Sequence, residues 1–141
     1  MTYSAPTPAT AYAEAPPIAR ETIALLRLRR ELGDERPAWY PPVGVHETRE
    51  ILLREAALLD RLALTDAEAG PDAFAAAEAI RDFDAARGLG PNGTSEGPVP
   101  PDAQQWQDDP RGYVRMEYEH WLTVPPWKPP VPAAQAGKDR A

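Results

Sequence analysis

His46-Glu47-Thr48-Arg49-Glu50 has the outline of a zinc helix, with Glu50 standing where the second histidine would be. That motif needs two imidazoles one helical turn apart to hold the metal, with the intervening Glu as base. The chain's other histidine is His120, far along the sequence. The segment therefore reads as the charged first turn of a helix, where Glu47 and Glu50 suit the N-terminal end of the dipole. The acidic pairs Asp82/Asp84 and Asp108/Asp109 are the other carboxylate candidates. Two residues apart on a helix, Asp82 and Asp84 diverge by roughly 160°, and they read as a solvated face. Asp108-Asp109 precedes Pro110 and reads as a helix cap. The two serines, Ser4 and Ser95, lie in segments poor in apolar residues, and there is no Cys. A serine triad lacks a scaffold, and thiol nucleophiles, disulfides and thiolate metal sites are excluded. Gly88-Leu89-Gly90 follows a helical pattern rather than a strand, the wrong context for a phosphate loop. Asn92-Gly93-Thr94 matches a glycosylation sequon, here read as a chance match in a loop. No cofactor is expected, and a small metal-dependent enzyme using His46, Glu50 and His120 is the weakest reading.

Aromatic residues offer a different chemistry. Trp39 and Tyr40 sit within Pro37-Ala38-Trp39-Tyr40-Pro41-Pro42, and Trp127 within Pro125-Pro126-Trp127-Lys128-Pro129-Pro130. Aromatics on stiff segments cost little entropy to fix and give large contact areas, as interface anchors do. With Tyr118 and Trp121 they form the expected partner-binding set. Trp39 and Tyr40 have the rival role of folding back over a thin helical core. Arg27, Arg29, Arg30 and Arg36 make the one basic cluster, offset by Glu31, Asp34 and Glu35. The Pro-rich stretch behind it is too long and stiff for the turn of a helix-turn-helix.

Three helices must carry these residues. Ile18 to Leu32 follows Pro17 and stops at Gly33, with Leu28, Leu32, Leu25, Ile18, Leu26 and Ala19 on one stripe. The second helix runs from His46 to Ala63, with Leu58, Ile51, Leu62, Leu59 and Leu52 on its apolar face. The third opens at Gly70-Pro71 and closes at Gly88, packing through Phe83, Ala76, Ile80, Ala73 and Ala77. Thr65-Asp66-Ala67-Glu68 fits a capping box that Gly70-Pro71 cuts short, so it reads as a bend. Arg29 and Glu55 each place a charge in an apolar stripe, predicting either a contact between the first two helices or outward snorkelling. Residues 88–109, rich in Gly and Pro, read as a flexible connection. Residues 110–124 suit a strand or a helix; no other segment could pair with a strand, so helix is preferred.

The chain has 141 residues, a formal net charge of −7 and a pI of about 4.8. Its 12 Leu, 4 Ile, 6 Val and 2 Phe are few, while Pro numbers 18. The expected fold is all-α: a small three-helix core over 18–87, the connection 88–109, and an appended aromatic segment 110–124. Disordered Pro-rich tails, 1–17 and 125–141, flank it. The acidic balance argues against nucleic acid, whose binding rests on clustered Lys and Arg. No stretch approaches the ~20 apolar residues of a membrane span. The N-terminus lacks the charge and apolar run of a leader, so the cytoplasm is expected. A core this thin suggests completion by another protein or by self-association. The functional expectation is thus a non-enzymatic acidic interaction module, an adaptor or accessory protein. An excess of Arg over Lys fits a GC-rich bacterial source and is compatible with a mobile-element accessory. The alternative is a nucleic-acid-binding regulator.

Overall fold

The computed structural model describes residues 3–33, 37–39, 43–87 and 93–123. Its regular structure is entirely helical among these residues, as the periodicities require. α1 (Pro8–Ala11) is one turn, capped by Thr7, whose hydroxyl accepts from the Thr10 N–H at 3.2 Å. α2 (Ile18–Leu32), α3 (Val45–Ala63), α4 (Gly70–Arg87) and α5 (Pro110–Thr123) follow. At the start of α3 the N-cap Gly44 N–H donates to Glu47 Oε1 at 3.0 Å, so Glu47 satisfies that donor as well as lying in the first turn. Asp66 caps a short 3₁₀ turn, Ala67–Ala69, that runs directly into α4.

The core uses two of the three expected core helices, α3 and α4, and adds α5. Leu53, Ala56 and Ala57 of α3 join Ala77 and Ile80 of α4 and Val114 and Tyr118 of α5 in one buried cluster. Small Ala residues let α3 and α4 approach closely, and α5 fills the remaining side. α5 is therefore a central helix rather than an appendage. It is a helix because Asp109 caps it, accepting from the Gly112 N–H at 3.0 Å, and Pro110 occupies its first position. A strand would have buried only alternate side chains; here Tyr113, Val114, Met116, Glu117 and Tyr118 are all buried.

Two segments expected to be loose are packed. Residues 3–17 lie against the core: Ala11 is buried, the Tyr12 ring sits 5.6 Å from that of Tyr118, and Tyr3 meets Trp106 edge-on at 6.4 Å. From the connection, Trp106 joins Tyr113 and Met116 in a second cluster, with Val99 and Ala103 against it. Thr94 and Pro101 are also buried. Composition predicted disorder because each segment alone has little to bury. The surface they cover belongs to α5. Residues 88–92 and the expected tail 125–141 lie outside the described residues.

α2 lies chiefly along α3 and buries Glu21 and Leu25. Leu26 and Ala19, expected on that stripe, face outward. The Arg29–Glu55 contact exists, but at the rim: the two side chains are 49% and 39% exposed. Such a pair is worth at most about 1 kcal/mol.

Candidate functional site

Of the aromatic residues expected to meet a partner, Trp39 is 82% exposed. Tyr118 is buried in the core and cannot present its ring. Trp121 is half-buried, stacked on Tyr118 at 5.7 Å with the Arg54 guanidinium 5.6 Å from its ring centroid. Tyr40 and Trp127 fall outside the described residues. Of the three described positions, Tyr118 lies in the core and Trp121 packs against it, fixing α5 against α3, while Trp39 is exposed.

Carboxylates missed by sequence reasoning organise the interior. Asp84, expected on a solvated face, is fully buried, whereas Asp82 is exposed. Arg49 donates to Asp84 in a fork, Nε to Oδ1 at 2.8 Å and Nη2 to Oδ2 at 2.9 Å. The hydroxyls of Thr94 and Tyr113 add donors at 2.6 and 2.5 Å. Arg49 also reaches Glu117 Oε1 at 2.5 Å. The N–H groups of Glu96 and Gly97 close on the same carboxylate at 2.7 and 2.6 Å. Burial pushes the Glu117 carboxyl above its ordinary value, opposed by Arg49 and the two backbone donors. The cluster is sealed from solvent and its carboxylate oxygens are occupied, so it ties α3, α4, α5 and the 93–97 segment together and offers a substrate no approach.

Asp60 on α3 is a second tie. It accepts from Tyr12 Oη at 2.5 Å, from Arg115 Nε at 2.8 Å and from Arg111. Burial alone would raise its carboxyl, but these hydrogen bonds from Arg115, Tyr12 and Arg111 hold it below the usual carboxylate range. Glu21 of α2 takes the third role, receiving Arg54 at 2.6 and 3.2 Å. Sequence carried a signal for all of these. Asp84 falls on the same helical stripe as Ala73, Ala77 and Ile80, and Arg49 and Asp60 on that of Leu53 and Ala56. His46 is exposed, Glu50 lies beside Arg54 at 3.8 Å, and His120 is on α5. Among the described residues no group of three or more His, Asp or Glu is placed to hold a metal ion.

What remains open to a partner is the outer side of α2. Ile23 and Leu26 are 59% and 60% exposed on a helix whose other side already packs on α3. A shallow depression beside them is lined by Pro17, Ala19, Arg20, Ile23, Ala24 and Arg27. Arg20 and Arg27 meet no carboxylate among the described residues. Four Arg against two Glu make α2 locally basic in a chain whose net charge is −7. No described helix is long and apolar enough to cross a membrane. No protein-family model matches the chain, and neither a curated protein nor a solved structure is detectably similar to it.

Proposed function

We propose that this protein is a non-enzymatic interaction module, an adaptor or accessory protein, that docks an acidic amphipathic segment of another protein on the outer face of α2. The carrying observation is the pairing of exposed Ile23 and Leu26 with the uncompensated guanidinium groups of Arg20 and Arg27. Apolar anchors ringed by charge of one sign suit a partner with apolar anchors and the opposite charge. Self-association through two α2 faces is disfavoured, because it sets arginine against arginine. Residence in the cytoplasm of a bacterium, in an accessory role, belongs to the same proposal and rests on composition.

The test is affinity capture with wild-type protein and an Ile23→Ser/Leu26→Ser variant, at low and high salt. The expected result is an acidic protein retained by the wild type, lost in the variant and weakened by salt, at unchanged melting temperature. Salt-steep retention of the wild type on duplex DNA, with no protein captured, would favour the nucleic-acid reading instead.

A further inference from the structure

A cavity of about 350 Å³ opens between the N-terminal segment, the 93–99 segment and the C-terminal half of α5. That volume lies within the roughly 300–1,000 Å³ of ligand sites. Its floor is apolar: Ala11 and Met116 are buried there, and Pro98 and Leu122 contribute to the wall. Its polar groups are of one character. Glu14 and Glu119 both line it, and neither carboxylate has a hydrogen bond or ion pair among the described residues. Glu14 is exposed at the mouth and Glu119 is half-buried. The buried carboxylates among the described residues, Glu21, Asp60, Asp84 and Glu117, are each matched by arginine, whereas this cavity's lining contains no Arg or Lys. The Tyr3 phenol beside it is pushed up by burial and by the nearby Glu119 and Glu117 carboxylates, in keeping with a negative local potential. Tyr3, Thr10, Thr123 and His120 supply further hydrogen-bonding groups at the rim.

We propose that this cavity binds a small organic cation, an ammonium group joined to a compact apolar body. The body would rest on Ala11, Met116 and Leu122, and the ammonium would meet Glu14 and Glu119. An anion is repelled by the carboxylates, and a neutral molecule makes no ion pair with them. The ammonium is that of a free amine.

The test is calorimetric titration of the full chain with 2-phenylethylamine, 2-phenylethanol and 3-phenylpropionate, together with NMR shifts of the Ala11 and Met116 methyl groups. The expected result is saturable amine binding that moves both methyls, roughly tenfold weaker binding of the alcohol, and none of the acid. Glu14→Gln/Glu119→Gln should abolish amine binding with the melting temperature unchanged. The proposal is overturned if the amine fails to saturate wild type, if alcohol and amine bind equally, or if the folded double Gln variant binds like wild type. The methyl shifts with the three wild-type titrations decide the matter even if a variant fails to fold.

Discussion

Gly97 donates its N–H to Glu117 at 2.6 Å, and a Cβ at that position would collide with Glu117 Oε2 and come within 2.8 Å of Met116 Cε. Read as one of several loop glycines, it suggests flexibility. In place, it is the glycine that lets the 93–97 segment approach a buried carboxylate. Gly97→Ala should therefore destabilise the protein by about 1–3 kcal/mol, measured by urea unfolding; a change of a few tenths would mean the segment is not held. Charge position at the residue scale was partly legible. Opposite charges on apolar stripes did find each other, as Arg29 and Glu55 show, but that pair sits at the rim. The same logic applied to Arg49, Asp60 and Asp84 would have found the interior ties. It did not, because the face of α3 was placed by its large aliphatics, whereas its contact runs through Leu53, Ala56 and Ala57. Asp84, for its part, was weighed as a pair with Asp82 rather than against the Ala73, Ala77 and Ile80 face of α4.

Helix boundaries were well announced at the element scale, because Pro at the start and Gly or Asp at the ends have local causes. That α5 joins α3 and α4 in the core was not announced, because that depends on burial by partners distant in sequence. The N-terminal segment is the clearest case. Its apolar content is slight, yet Tyr12 spans from the Tyr118 ring to the Asp60 carboxylate. A hydrogen bond to a charged group contributes roughly 1.5–3 kcal/mol. Tyr12→Phe should cost about that much while leaving the ring contact intact. Deletion of residues 1–16 should cost more, lowering the melting temperature by many degrees. An unshifted melting curve for the deletion would return the segment to the status of an idle tail.

Acid titration of the whole molecule separates the buried carboxylates by sign. Glu117 has its folded value raised, so its ionised form costs stability, and that cost is relieved as pH falls through the folded value toward the unfolded one. Asp60 has its folded value lowered, so its contribution is complete above about pH 4 and is lost as pH falls through the depressed folded value. The melting temperature should stay level or rise slightly from pH 7 to about pH 5, then fall steeply below about pH 4. Asp60→Asn should lower the plateau and flatten the acid limb. A steady decline beginning at neutral pH would show that Glu117 does not carry its charge at a cost. The exposed apolar face of α2 has no bearing on this profile, which leaves pH stability and partner capture as independent readouts.

Asp60 binds residues from both sides of the chain at once, Tyr12 before it and Arg111 and Arg115 after it. Arg49 and Glu117 likewise close a long loop. A nascent chain that has reached only the end of α4 holds the Asp60 and Asp84 carboxylates among apolar stripes, with Arg111, Arg115 and Tyr113 still unmade. Folding must wait for α5, and prematurely terminated products should behave as open, protease-sensitive chains rather than as stable fragments. The arginine–carboxylate ties thus act as a check on completeness during synthesis.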